Sequence, residues 1–431
     1  MNTLPTDLNG ADLIWVTISA ALVLLMTPAL GFFYGGLVRS KNVLNTIMMS
    51  VAAIGVVGLT WTLLGYSLAF SSGSAFIGSF DYALLRGVGL EAGRWGAFPH
   101  LLYLAYQGTF AIIATALISG AVVERMRFGA YLIFLALWSL LVYAPVAHWV
   151  WGSGWIAQLG AIDFAGGTVV HITAGLAAAV AAIAVGQRAD YHRHAVLPHN
   201  VPYVLLGAAL LWFGWFGFNG GSALAANATA ALAVVNTMLA PMATLVIWLV
   251  LDLRRTGKST AVGAATAIVV GLVAITPAAG FISPTHAIVL GAIAALPSYI
   301  GLQIRSRSAL DDSLDVFAAH GVGGIVGAIL TGIFAARAWG APADGLLAGN
   351  AALLGHQLIA LLAAAAYSAL MTFVILRAIA LVAPLRRAPA QEQLGLDVLQ
   401  HGEEAYSHGE GALLMVEERR KTSRATEDTA S

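Results

Sequence analysis

The sequence predicts an all-α polytopic membrane protein: eleven transmembrane helices, arranged as an inverted five-plus-five repeat plus one extra helix. Three observations carry that prediction. The first is composition: 59% of the 431 residues are hydrophobic and only 10% charged, where soluble domains carry about 25% charge. Mean hydropathy is accordingly +0.83. The second is the length of the apolar runs, which are continuous over the roughly 20 residues a spanning helix needs; a β-barrel would show short alternating segments instead. The third is an internal echo. Asp163 precedes His171 by eight positions, and Asp312 precedes His320 by eight, with small residues following each histidine. A second echo pairs Phe33-Tyr34-Gly35-Gly36 with Phe218-Asn219-Gly220-Gly221. Halves of five spans each must run in opposite directions, and inverted repeats with a site at their interface are a common transporter plan.

Taken in order, the predicted spans are 13–37, 45–70, 100–122, 129–148, 165–186, 202–219, 229–251, 260–277, 286–303, 314–335 and 351–383. Alternate turns carry the positive charge: Arg39 and Lys41; Arg125 and Arg127; Arg188 and Arg193; Arg254, Arg255 and Lys258; Arg305 and Arg307; Arg386 and Arg387. The opposite turns hold only Arg86, Arg94 and Arg337. The positive-inside rule makes the first set cytoplasmic. The N-terminus is then outside and the C-terminus inside, as an odd span count requires. No Lys or Arg precedes Arg39, so a basic leader is not expected. Residues 1–387 read as the transmembrane domain and 388–431 as a polar cytoplasmic tail, its end expected to be disordered.

Composition also excludes. Net charge is formally zero, which leaves no basic footprint for nucleic acid. Cysteine is absent, so neither disulfides nor thiolate metal sites exist. No cofactor and no enzymatic activity are expected; an intramembrane metalloenzyme would need a third ligand beside two histidines, and no His-Glu-x-x-His run occurs.

An ionisable residue deep in an apolar span is a functional hypothesis by default, and this singles out His171 and His320. A lone buried histidine is ordinarily a satisfied structural residue, but the repeat favours a facing pair lining a pore. Two neutral imidazoles can share one hydrogen bond, which fixes their tautomers. Within a helix, eight residues turn by about 80° net and rise about 12 Å, so no Asp–His dyad forms inside one repeat. Asp163 reads as an N-cap for the helix after Ala165-Gly166-Gly167, with stabilisation of an external cation as the other reading; Asp312 reads as a cytoplasmic cap. His100, His148, His199 and His286 fall near span ends and are expected to be solvated, and His356 to be structural. Trp149, Trp151 and Trp155 suit an interfacial aromatic belt. Phe110, Trp151, Phe218 and Ser222 lie near outer ends of their segments, where aromatic faces and a hydroxyl can hold a small cation, although a Phe in a span is ordinarily packing.

Gly31-Phe32-Phe33-Tyr34-Gly35-Gly36-Leu37, the run from Asp163 to His171, Gly214-Trp215-Phe216-Gly217-Phe218-Asn219 through Ser222, Asp315-Val316-Phe317 with His320-Gly321, and Gly395-Leu396-Asp397-Val398 with His401-Gly402-Glu403 together resemble the ammonium transporter (Amt/MEP/Rh) family, Amt branch, over about 12–407. The resemblance implies a homotrimer with one pore per subunit, set in the plasma (inner) membrane. It implies recruitment of ammonium (or methylammonium) by Phe110, Trp151 and Ser222, a gate of Phe110 and Phe218, twin pore histidines His171 and His320, and a need for Asp163 in conduction. Ammonia would cross and be protonated again inside, for nitrogen uptake. Tyr106 stands where the family pattern has Phe. The tail resembles the segment that docks PII-type signalling proteins. An ammonium sensor on the same fold, signalling through its tail, is the alternative; a Rhesus-type gas channel fits poorly with Trp151 and Ser222.

Overall fold

Helix α1, Gly10–Leu37, begins at Asn9, whose side chain accepts from Ala11 N and Asp12 N. After it come α2 (Ser40–Phe70), α3 (His100–Ala121), α4 (Phe128–Leu159), α5 (Gly167–Val185), α6 (Val201–Gly220) and α7 (Ala228–Thr256). Then follow α8 (Ala261–Ile275), α9 (Pro284–Arg305), α10 (Phe317–Phe334) and α11 (Ala351–Val382). This computed structural model describes residues 7–192 and 197–406. Arg193 and everything from residue 407 onward, including the charged run Glu417 to Lys421, lie outside the described residues.

Ten of these helices are long and apolar enough to cross a membrane, and the eleventh, α8, has 15 residues. The predicted eighth span, 260–277, is therefore shorter than expected. The reason lies in its surroundings: its second half, Val269 to Ile275, is buried throughout. A helix enclosed by protein need not match the hydrocarbon thickness, because protein satisfies the polar backbone around it. Helix α4 breaks at Trp151–Gly154 before a last turn, Trp155–Leu159.

The inverted relation appears in how helices cross. The C-terminal end of α1 meets the start of α6: a Cβ at Gly36 would stand 2.6 Å from the Asn200 carbonyl oxygen. The far end of α6 returns to the first half of α1, where a Cβ at Gly217 would stand 2.7 Å from Leu22. Helices α5 and α10 meet the same way, a Cβ at Gly175 falling 2.3 Å from Gly321 Cα. Small residues at such crossings let backbones close up where lipid supplies no hydrophobic drive.

The arginine-rich end is locked by buried charge. Glu124 is fully buried and bonds Arg39 Nε and Arg188 Nη1 at 2.9 Å each, while Arg188 Nη2 reaches Asp311 at 2.7 Å. Burial alone would raise the Glu124 carboxyl, but Arg188 and Arg39 hold it down at about 2. Arg125 donates to the carbonyls of Ala121, Gly186 and Asp311 and to Ser313 Oγ.

Two short helices of the tail, α12 (Pro389–Leu394) and α13 (Leu396–His401), dock on this end. Asp397 accepts from Leu44 N at 3.0 Å and Asn45 N at 2.8 Å, capping the start of α2, and Leu396 is buried beside it. Glu392 pairs with Arg386 and accepts from Ala189 N. A tail of this pattern is expected to pack around Arg188, Arg254 and Arg305; among the described residues, only the first of those loops receives it. Arg305 is instead engaged by Asp315 at 2.6 Å, and Arg254 is exposed.

Candidate functional site

The outermost part of the site is built on the start of α5. Asp163 Oδ1 accepts from Gly166 N and Gly167 N at 2.9 and 2.7 Å, and Oδ2 from Thr168 N and Val169 N at 2.8 and 3.0 Å. One carboxylate thus satisfies four amide donors, the number a helix N-terminus leaves free. Gly166, at φ +116°, makes the turn that brings them together, a conformation costly for any residue with a Cβ. The capping reading of Asp163 fits this geometry. Its counterpart differs: Asp312 Oδ2 accepts from Phe317 N at 2.7 Å, while its buried Oδ1 has no partner. With less compensation, burial and the neighbouring Asp315 push the Asp312 carboxyl up to about 6.

Trp151 stands where α4 breaks, and its indole N–H donates to the backbone oxygen of Asp163 at 2.8 Å. Trp151, Asp163 and Ser222 line an open hollow of about 400 Å³ at the outer end. Phe110 lies beneath, its ring 6.2 Å from Trp151 and nearly perpendicular to it. Phe110 and Phe218 pack at 4.3 Å between centroids and are 1% and 0% exposed.

Below Phe218 the two histidines meet. His320 Nδ1 lies 3.2 Å from His171 Nδ1, the rings nearly parallel with centroids 5.3 Å apart. One nitrogen donates and the other accepts, which requires opposite tautomers. His171 Nε2 has no protein partner. The pair, with Phe218 and apolar side chains such as Leu30, Ile113 and Val269, lines a chamber of only about 10 Å³. That is about one water-sized sphere, so anything passing goes in single file. His320 also borders a wide inner vestibule of about 880 Å³, with Tyr34, Arg188, Trp248, Tyr299 and Asp315 on its walls. Contacts thus link the parts in succession: Trp151 of the hollow meets Phe110, Phe110 packs on Phe218, Phe218 lines the histidine chamber, and His320 borders both that chamber and the vestibule.

Both histidines ride on π-helical turns, Gly167–Ile172 and Phe317–Val322, and Phe218 on a third, Phe216–Gly220. Such wide turns are frequent at functional sites, although two more, Trp61–Gly65 and Ser139–Tyr143, lie outside this one, and no sequence pattern announces them. Sequence reasoning also passed over Trp215, which stacks on His171 at 5.4 Å and anchors its own N–H to Thr276 Oγ1. Its place one turn before Phe218 is the signal that could have found it. The expectation of solvated histidines near span ends fails for two of them. His100 is buried with Nε2 2.6 Å from Tyr66 Oη, and His148 is 2% exposed with its ring nitrogens 2.9 Å from the oxygens of Ala69 and Ser74. The polar outer loop folds back over both. Among the described residues, no group of three or more His, Asp or Glu side chains is placed to hold a metal ion.

These features define a polytopic helical membrane protein with a narrow apolar passage at the interface of two inverted halves. The chain belongs to the ammonium transporter family: the family model (Ammonium Transporter Family) matches residues 14–406. The ammonium transporter of Bacillus subtilis (strain 168) is 48% identical over 398 residues, covering 92% of this chain and 98% of that one. The crystal structure of Saccharomyces cerevisiae Mep2 superposes with a TM-score of 0.88 at 36% identity, over 95% of this chain and 94% of its own. A sensor Amt protein of known structure matches at a TM-score of 0.84 and 30% identity, over 91% of this chain and 98% of its own.

Proposed function

We propose that this protein transports ammonium by holding the cation at the outer hollow, where near the phenyl gate it gives its proton to solvent water, and conducting the resulting ammonia past His171 and His320. The observation that best supports this reading is the bonded histidine pair in a chamber one small molecule wide. A simple amine titrates near about 10, so outside the membrane the cation dominates. A bare cation in an apolar tube of that width is costly, whereas ammonia is neutral and finds donor and acceptor nitrogens along the imidazoles.

At the entrance, Trp151, Phe110 and Ser222 provide aromatic faces and a hydroxyl. They attract a cation without a free anion that would trap it, since the Asp163 carboxylate is occupied by four amides. A cation–π contact contributes about 0.5–2 kcal/mol. Trp151→Leu is therefore expected to weaken the concentration dependence of labelled methylammonium uptake by roughly two- to thirtyfold. Wild-type protein reconstituted into liposomes supplies the reference rate. No uptake by the wild type would contradict transport itself; unchanged half-saturation in Trp151→Leu combined with Ser222→Ala would remove the recruitment site.

The working assembly in this proposal is a homotrimer in the plasma membrane, N-terminus outside, with the arginine-rich end and docked tail facing the cytoplasm. The tail would transmit control by a PII-type signalling protein. Truncation after Arg387 removes the Asp397 cap on α2, and is expected to lower transport and abolish capture of a PII-type protein while the trimer survives in detergent. Normal transport with capture retained would leave the tail without a regulatory part. The likeness to a sensor Amt protein favours one second reading, a receptor that signals with little flux; the same uptake measurement separates the two.

A further inference from the structure

We infer that the Tyr106 hydroxyl is a strap across the gate, a positioning group that sets how tightly Phe110 and Phe218 close and so which amines pass. The inference rests on the transport reading above.

Tyr106 is 0% exposed and lies on α3 one turn before Phe110, against which its ring packs edge-on at 5.0 Å. Its Oη lies 3.0 Å from the Gly217 oxygen, 3.1 Å from the Phe218 oxygen and 3.3 Å from Ser222 Oγ. The Phe218 carbonyl needs such a partner. Past the wide turn, Gly221 N reaches Gly217 O and Asn219 O, Ser222 N reaches Asn219 O, Ala223 N reaches Gly220 O and Leu224 N reaches Gly221 O. None of these donors returns to Phe218. Its oxygen is met instead by two hydroxyls, Ser222 at 2.8 Å and Tyr106. A carbonyl oxygen has two lone pairs, and the two hydroxyls fill the capacity that the backbone leaves open.

The consequence is a link between the two gate residues that does not run through their rings. Phe110 is on the same helix as Tyr106, and Phe218 supplies the backbone oxygen that Tyr106 meets. Parting the phenyl rings by moving the two backbones apart therefore stretches the Tyr106 contact as well, which leaves side-chain rotation as the unhindered way to open. The strap also orders Ser222. With the Ser222 proton directed to Phe218 O, its lone pairs remain available to accept from a cation in the hollow. Gly221 lets the helix backbone come this close to the hydroxyl: a Cβ there would stand 2.6 Å from Tyr106 Oη and 2.7 Å from Ser19 Oγ.

The test compares methylammonium with ammonium in liposomes holding the full-length protein, wild type and Tyr106→Phe. Removing one buried hydroxyl contact loosens the gate, and the methylammonium-to-ammonium rate ratio is expected to rise roughly two- to tenfold. The thermal midpoint and the trimer in detergent serve as structural controls. Tyr106→Phe combined with Ser222→Ala is expected to deviate from the product of the single effects, because both hydroxyls act on one carbonyl. An unchanged ratio in Tyr106→Phe, in protein that still moves ammonium, overturns the strap. If Tyr106→Phe does not survive purification, Tyr106→Met poses the same question. Absence of transport by the wild type overturns the functional reading instead, so the two failures are distinguishable.

Discussion

Asp163→Ala is expected to abolish ammonium transport and to lower the stability of the outer end of α5. The carboxylate serves Gly166, Gly167, Thr168 and Val169 at once, and alanine leaves four buried N–H groups facing no acceptor. An ordinary N-cap contributes about 0.5–2 kcal/mol; a cap with four bonds, 8% exposed, should reach or exceed the upper figure. The damage does not stay local, because Trp151 hangs from the Asp163 backbone and the turn leads into His171. Asp163→Asn is intermediate: its oxygen still accepts from one pair of amides, while its NH₂ faces the N–H groups of the other pair. Uptake and thermal midpoint measured together check this, and an alanine variant that transports at the wild-type rate would contradict it.

The second large effect belongs to the histidines. His171→Ala or His320→Ala breaks the 3.2 Å bond and leaves the surviving Nδ1 unpaired in an apolar chamber. An unpaired buried polar group costs about 1–3 kcal/mol; falling on the transport barrier, that is a roughly 5- to 150-fold loss of ammonium flux or of selectivity over metal cations. The double variant should lose little more than either single one, since the two rings act as one unit. Wild-type flux and selectivity in both single variants, with the trimer intact, would remove the histidines from the mechanism.

The skeleton of this site was legible in the sequence because bilayers impose strong rules. Apolar run length located the spans, and the repeated Asp-to-His interval marked the two residues that meet. Asp163 was readable as a cap because Asp before a Gly-rich helix start is a local signal. What escaped depends on contacts between elements far apart in the chain. Nothing near Tyr106 says that its hydroxyl meets the Phe218 carbonyl, over a hundred positions away, because that carbonyl is freed only by a π-helical turn. Trp215 looked like one more apolar residue until α5 brought His171 beneath it. His100 and His148 sit near the ends of their helices, where solvent was expected, but the outer loop covers them. The short α8 was overextended because an apolar run does not say whether lipid or protein surrounds it.

The central claim is that the substrate passes the histidine chamber as neutral ammonia. The most direct test compares ammonium with potassium, a cation of similar size that cannot lose a proton. Purified wild-type protein on a solid-supported membrane, or in liposomes with tracer potassium, is given a jump of each ion in turn. The predicted result is rapid ammonium transport with no potassium flux above protein-free membranes, an exclusion that weakens or gives way to block when His171 or His320 is replaced. Potassium carried by the wild type at a rate comparable to ammonium would mean that an intact cation crosses the chamber, and would contradict the account.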